Sequence, residues 1–197
     1  MQEAISVVQD RRIILGVTGS IAAYKAADLA SKLTQAGAQV DVIMTDAAQR
    51  FITPLAFQAV TGRPVYTSMW TGIGEGLPTH IAHVGLGEGA TLLVIAPATA
   101  STLAKLAHGL ADDLLSVTAL AARCPVVVAP AMDGGMYVHP ATQANLDVLR
   151  ARGVVVIEPD EGRFASGLVG RGRLPETLAL LGQIRRERPA AFIGVDA

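Results

Sequence analysis

What this sequence lacks excludes several classes of protein. Its one cysteine, Cys124, cannot form an internal disulfide, which suits a reducing compartment. The net charge of −1 gives no electrostatic basis for binding nucleic acid or an acidic surface. No stretch reaches the roughly 18 uninterrupted apolar residues of a membrane span, and the N-terminus has no apolar core of signal-peptide length. We therefore expect a soluble, cytoplasmic protein.

Apolar strands alternating with amphipathic helices make up most of the chain. The strands are predicted at 13–17, 38–45, 92–99, 125–132 and 154–160. Helical patterns separate them at 21–37, 55–62, 102–122 and 140–153. This alternation predicts an α/β fold, a single-domain doubly wound parallel sheet of the Rossmann-like type. The expected organisation is an N-terminal extension at 1–10, the domain at 11–188 and a C-terminal tail at 189–197.

A ligand of such a sheet lies beyond the carboxyl ends of the strands. The turn "TGS" after the first strand places Gly19 and Ser20 at a helix N-terminus, where backbone N–H groups and the helix dipole suit a phosphate. An ordinary capped turn would have the same sequence. The full G-x-G-x-x-G spacing and the Walker lysine are missing, which disfavours a standard dinucleotide or nucleoside-triphosphate site.

Five segments, in order, resemble the homo-oligomeric flavin-containing cysteine decarboxylases. They are 16–25 ("GVTGSIAAYK"), 42–62, 83–115, 130–149 and 165–176 ("ASGLVGRGRLPE"). The resemblance implies FMN-dependent decarboxylation of N-(4′-phosphopantothenoyl)-L-cysteine to 4′-phosphopantetheine in coenzyme A biosynthesis, through thiol oxidation, loss of CO₂ and enethiol reduction. It also implies a homo-oligomer, a trimer or dodecamer with active sites at subunit interfaces. A fused or separate phosphopantothenate–cysteine ligase is the further partner that it implies, and we expect no metal.

The resemblance also assigns the cofactor-binding residues, most of which lie where predicted strands end. They are Gly19, Ser20, Ile21, Thr45, Thr53, Ala98, Thr99 and Ser101. Short side chains there would let the backbone approach an isoalloxazine ring, and hydroxyls suit phosphate and ribityl oxygens. Taken singly, each hydroxyl is better explained by helix capping.

Two histidines compete for the catalytic position in "THIAHVGLGEGA". Counting back from the strand "LLVIAPATA", the active-site histidine of the family falls on His83, and His80 lies three residues earlier. The resemblance implies that His83 serves as acid and base in thiol oxidation.

Two further catalytic positions depart from the family pattern. Asp133 replaces a substrate-binding asparagine, so it is either kept protonated or accepts from a substrate amide N–H. Ser166 replaces a cysteine that assists the final reduction, and a hydroxyl is a far weaker acid than a thiol, so that step should be slow. Cys124 precedes the fourth strand and is better explained as a buried small hydrophobe than as a substitute.

The glycine- and arginine-rich segment 160–176 is predicted to be a mobile loop over the substrate. Its arginines offer forked donors to a phosphate, although surface salt bridging explains them equally well. The predicted substrate-binding residues are Met132, Asp133, Met136, Ala165, Arg171 and Arg173. For Met136, packing in the core is the alternative.

Two other functions stay open. One is a peptidyl-cysteine decarboxylase that stops at the enethiol, which the missing loop cysteine permits but "GRGRLPE" disfavours. The other is a non-catalytic flavin-binding regulatory subunit, against which His83 and the lack of an extended acidic tail argue.

Overall fold

A six-stranded, fully parallel sheet forms the centre of the molecule. The computed structural model describes residues 8–70, 82–163 and 167–186, and within them the strand order is β3-β2-β1-β4-β5-β6. The strands are β1 (Arg12–Val17), β2 (Gln39–Met44), β3 (Val65–Tyr66), β4 (Leu92–Ala98), β5 (Val126–Pro130) and β6 (Val155–Val156). The order reverses direction at β1, as in a doubly wound sheet, and the predicted fold class is confirmed.

Helices cover both faces of this sheet. They are α1 (Ala23–Gln35), α2 (Pro54–Thr61), α3 (Ala82–Gly89), α4 (Ala100–His108), α5 (Leu114–Ala121), α6 (Gly134–Tyr137), α7 (Pro140–Ala151) and α8 (Thr177–Arg186). Alternate residues of β1 belong to two separate apolar cores, because successive side chains of a strand point to opposite faces. Ile13 and Leu15 pack with α1, α2 and α8, whereas Ile14 packs with the helices of the other face. None of the helices in the described ranges has both the length and the apolar character needed to cross a bilayer.

The helical pattern predicted at 102–122 contains two helices. α4 ends at His108 and is capped by Gly109, whose φ of 68° is the left-handed conformation that glycine adopts without strain. α5 begins after Asp113, whose carboxylate accepts a hydrogen bond from the Ser116 N–H in a reciprocal capping box. The break moves Asp113 to the same edge of the sheet as the ends of the strands, where it lines a cavity.

The segment predicted as a loop contains an antiparallel hairpin. Strand β7 (Asp160–Arg163) pairs with β8 (Val169–Arg173), and we call this pair the hairpin. Its arginine side chains stay exposed, so these strands form without the cost of burying unpaired charge. The root of the hairpin is joined to the sheet by a hydrogen bond from Met132 N to Gly172 O at 2.9 Å.

Candidate functional site

A cavity of about 630 Å³ lies where the central strands β1, β2 and β4 end, and we call it the first cavity. Small and hydroxyl-bearing residues from the three strand ends line one side of it. They are Thr18, Gly19, Thr45, Thr99, Ser101 and Thr102. Met44, Leu114, Leu115 and Met136 supply apolar wall, so the cavity can take a ligand with an aromatic part and a polar chain.

Thr18 joins the ends of β1 and β4 at this cavity. Its buried Oγ1 donates a hydrogen bond to Pro97 O at 2.7 Å and accepts one from Thr99 N at 3.1 Å. The sequence reasoning included Thr18 in the "TGS" turn but gave it no role. This hydroxyl fixes the two turns that carry most of the predicted cofactor residues.

The close approach of two turns explains Gly19. A Cβ at this position would lie 2.4 Å from the Cβ of Ala47, which follows β2. Because real Cβ atoms do not approach so closely, any larger residue would push the two strand ends apart. Gly19 therefore sets the width of the first cavity at this edge.

Three of the predicted hydroxyls accept hydrogen bonds from nearby backbone N–H groups. Thr99 Oγ1 accepts from Thr102 N at 3.3 Å, Thr45 Oγ1 from Ala48 N at 3.2 Å, and Ser20 Oγ from Ala22 N at 3.2 Å. Helix capping, the alternative that the sequence left open, is therefore present at Thr99, the N-cap of α4, whereas Thr45 and Ser20 bond within local turns. A hydroxyl has two acceptor lone pairs and a donor, so a cap can also bind a ligand.

The structure brings some predicted cofactor residues together and separates others. Gly19, Thr45, Thr99 and Ser101 line the first cavity. Ser20 and Ile21 line a neighbouring cavity, described below. Ala98 is fully buried within β4, and Thr53 is exposed before α2; neither lines these two cavities.

Two groups of lining residues were missed by the sequence analysis. The first is the run 67–70, which follows β3 and ends in Trp70, a side chain that is 78% exposed. The two residues of β3 are too few for a periodic signal, so nothing marked this run. The second is Lys105 with Asp112 and Asp113, which lay within a pattern interpreted as one helix.

Lys105 is held between two carboxylates in the wall of the first cavity. Its Nζ lies 2.7 Å from Asp112 Oδ1 and 2.8 Å from Asp113 Oδ2, and these hydrogen bonds raise the pKa of Lys105. Burial alone would raise the pKa of Asp113, but hydrogen bonds from Lys105 and Ser116 hold that pKa below its ordinary value. Both shifts favour the charged forms of Lys105 and Asp113, so this ion pair persists at neutral pH.

A second cavity, of about 460 Å³, lies between the start of α1, the segment after β5 and the hairpin. Of the predicted substrate residues, Met132, Asp133 and Arg173 line it. Asp133 is the N-cap of α6, and its Oδ1 accepts from Gly135 N at 3.0 Å. The two cavities meet at the turn after β1, because Gly19 lines the first and Ser20 the second.

Lys25, which the sequence analysis left without a role, also lines the second cavity. It is 8% exposed, and its Nζ donates to Leu174 O at 3.1 Å and to Glu176 Oε1 at 2.7 Å. The hydrogen bond from Lys25 lowers the pKa of Glu176. This ion pair joins α1 to the chain that leaves the hairpin.

The remaining predicted site residues lie elsewhere. His83 is half-buried in the first turn of α3 and lines neither cavity. Met136 lines the first cavity rather than the second. Arg171 is exposed outside both, 3.9 Å from Glu158. Ala165, Ser166 and His80 lie outside the described residues.

Comparison with known proteins places this geometry among flavoproteins. Residues 3–188 match the sequence model of the flavoprotein family. The chain is 50% identical over 169 residues to the coenzyme A biosynthesis bifunctional protein CoaBC of Bacillus subtilis, a match that covers 86% of this chain and 41% of that protein. The chain thus spans about two fifths of the length of this relative.

Two solved structures are similar over nearly their whole length. A mutant PPC decarboxylase complexed with pantothenoylaminoethenethiol superimposes with a TM-score of 0.80 at 31% identity, covering 90% of this chain and 98% of that one. The FMN-dependent cysteine decarboxylase SpaF superimposes with a TM-score of 0.74 at 36% identity, covering 92% of this chain and 99% of that one.

Proposed function

The chain belongs to the flavoprotein family, and from that premise we propose that it is an FMN-dependent decarboxylase. The proposed reaction converts N-(4′-phosphopantothenoyl)-L-cysteine to 4′-phosphopantetheine, a step of coenzyme A biosynthesis. One observation carries the proposal: a hydroxyl-lined cavity and a cation-lined cavity meet at one turn. The similarity to CoaBC and to PPC decarboxylase supports the same substrate.

The residues of the first cavity fit flavin mononucleotide. Its volume lies within the roughly 300–1,000 Å³ typical of small-molecule sites. Thr45, Thr99 and Ser101 would hold the ribityl phosphate chain, and Gly19 lets the backbone come close. Met44 and Leu115 offer apolar contact to the ring. When bound, the flavin supplies the two-electron oxidation of the substrate thiol and the later return of those electrons.

His83 would be the acid and base of this reaction. An imidazole nitrogen can take the proton of the substrate thiol and release it again. His83 lies half-buried at the start of α3 and lines neither of the two cavities described above. We therefore propose that His83 contacts the bound substrate.

Asp133 would orient the substrate through an acceptor interaction. The sequence left two roles open, a protonated donor or an acceptor from an amide N–H. Asp133 Oδ1 already accepts from Gly135 N, and we propose that a carboxyl oxygen of Asp133 accepts from the substrate amide N–H as well. Met132 and Arg173, in the same cavity, would contact the substrate beside it.

A peptidyl-cysteine decarboxylase that stops at the enethiol is the second candidate. Ser166 favours it, because this residue stands where a proton-donating cysteine would assist the final reduction. SpaF is an FMN-dependent cysteine decarboxylase, so the similarity to it supports decarboxylation of a cysteine in either candidate.

Mass spectrometry of the reaction product separates the candidates. We expect the purified yellow protein to convert phosphopantothenoyl-cysteine to saturated 4′-phosphopantetheine. An enethiol, lighter by one H₂, would mean that the last step is lost, and unchanged substrate would refute the proposal. His83→Asn should lower kcat roughly 10²- to 10⁴-fold. His108→Asn, at the exposed end of α4, is the matched control and should not.

We further propose a homo-oligomer, trimer or dodecamer, that works with a phosphopantothenate–cysteine ligase, fused or separate. The bifunctional nature of CoaBC supports the ligase. A cytoplasmic location belongs to the same proposal. Light scattering of the purified protein tests the oligomer.

A further inference from the structure

The hairpin separates two arginines that the sequence treats alike. Arg171 and Arg173 are two residues apart, so an unbroken strand would place them on the same face. In this hairpin Glu161 pairs with Arg171, but the adjacent Asp160 pairs with Arg173, which leaves Gly172 as an extra residue in β8. Such a bulge reverses the alternation, so the two arginines occupy consecutive paired positions and face opposite ways.

The contacts of the two side chains agree with this reversal. Arg171 Nη1 lies 3.9 Å from Glu158 Oε2, and Glu158 also accepts from Tyr137 and Arg150. Arg173 instead crosses Gly162, where an added Cβ would lie 2.6 Å from Arg173 Cδ, and it lines the second cavity. Only glycine at 162 leaves room for this path.

Positive charge predominates in the second cavity. Lys25, Arg163 and Arg173 line it, against the single carboxylate of Asp133. Glu176, beside the cavity, accepts from Lys25 at 2.7 Å but lies 3.8 Å from Arg173 Nη2. The guanidinium of Arg173 is therefore only loosely paired, and Arg163 is exposed at the hairpin.

We propose that Lys25, Arg163 and Arg173 form a phosphate-monoester subsite in the second cavity, which selects the phosphorylated substrate. The inference rests on the proposed function, because that function supplies the phosphate. The two guanidinium groups offer forked N–H donors, and buried Lys25 adds a fixed charge. Asp133 lines the same cavity and would accept from an amide N–H of the substrate. With the cations at the phosphate and Asp133 at the amide, the substrate can bind in one orientation only.

Binding of the product and of its dephosphorylated form tests the subsite without turnover. Calorimetry on the FMN-loaded protein gives the Kd of 4′-phosphopantetheine and the Kd of pantetheine. The Kd of pantetheine divided by the Kd of 4′-phosphopantetheine measures the preference for phosphate. We expect Arg173→Gln to reduce this ratio by roughly 10-fold, as the loss of charge-assisted hydrogen bonds predicts. Arg163→Gln should reduce it as well, and Arg173→Lys should give an intermediate ratio, because charge remains but the fork is lost.

Arg171→Gln tests the bulge argument, and Arg123→Gln is the matched control for removing a surface charge. Arg123 is 80% exposed and lies 3.7 Å from Glu88, outside both cavities. Both variants should leave the ratio within about twofold of the wild type. A ratio that falls as much in Arg171→Gln as in Arg173→Gln would overturn the proposal, as would no change in Arg173→Gln.

FMN also carries a phosphate monoester, so the three cations could bind the cofactor instead of the substrate. The Kd of FMN, measured by flavin fluorescence on dilution of the same proteins, distinguishes these two ligands. We expect an unchanged FMN Kd in Arg173→Gln. Weaker FMN binding with an unchanged product ratio would assign the cations to the cofactor and overturn the proposal. Absence of decarboxylation by the wild type would instead refute the proposed function. Decarboxylation by the wild type with an unaltered ratio in every variant would refute the subsite alone.

Discussion

Thr18 is the residue through which fold and site can be perturbed together. Its hydroxyl is buried, donates to Pro97 O at 2.7 Å and accepts from Thr99 N at 3.1 Å. Thr18→Val keeps the shape of the side chain but replaces the hydroxyl with a methyl group. The matched variant, Thr18→Ser, keeps the hydroxyl and removes only a methyl group.

The structure predicts different losses of stability for the two variants. Thr18→Val leaves two groups without their partner at a buried position, each at a cost of about 1–3 kcal/mol, so we expect a loss of at least about 2 kcal/mol. Thr18→Ser should lose about 1 kcal/mol, the value of one buried methyl group. FMN affinity should fall on the order of tenfold in Thr18→Val, because the turns that carry Gly19 and Thr99 lose their connection.

Urea denaturation at a fixed protein concentration measures the free energy of unfolding, and flavin fluorescence measures the Kd of FMN. A fixed concentration matters because association would add to the apparent stability. If Thr18→Val and Thr18→Ser lose the same free energy, the two hydrogen bonds do not hold the strand ends, and our account of the first cavity is wrong.

Three further predictions concern other positions in the fold. Asp41→Asn should lower the free energy of unfolding by roughly 3 kcal/mol in urea, because the fully buried Asp41 carboxylate pairs with two partly exposed arginines. Asp147→Asn, at an exposed ion pair, should cost less than about 1 kcal/mol. Gly19→Ala should raise the FMN Kd on the order of tenfold by overpacking, whereas Gly182→Ala, with open space around it, should not. Burial raises the pKa of Cys124 to about 11. At pH 8 a thiol reagent should therefore label the native protein at least about 100-fold more slowly than the urea-unfolded chain. Equal labelling rates would contradict this burial.

The sequence predicted the features that depend on periodicity. The strands of the central sheet are buried on both faces and read as apolar runs, so the α/β class followed directly. The turn after β1 was also predicted to lie at the edge where the first cavity is found, because strand ends of a doubly wound sheet converge at one edge. Four of the eight predicted cofactor residues line the first cavity.

What the sequence could not predict depends on single residues and distant pairs. The bulge at Gly172 is one extra residue, yet it decides which arginine reaches the second cavity. Lys25 is paired with a residue 151 positions away, and no local pattern signals such a partner. The run 67–70 joins the first cavity only because the two-residue strand β3 pairs with β2.

One turn links the two proposed binding functions. Gly19 faces the first cavity and Ser20 the second, while Thr18 fixes both to the end of β4. On the far side of the second cavity, the hairpin is held by Met132 N to Gly172 O and by Lys25 to Glu176. A substrate in the second cavity would therefore lie between the cofactor turn and Arg173. In this arrangement the phosphate group sets the position of the thiol, so loss of the Arg173 contact should lower kcat for the phosphorylated substrate as well as raise its KM.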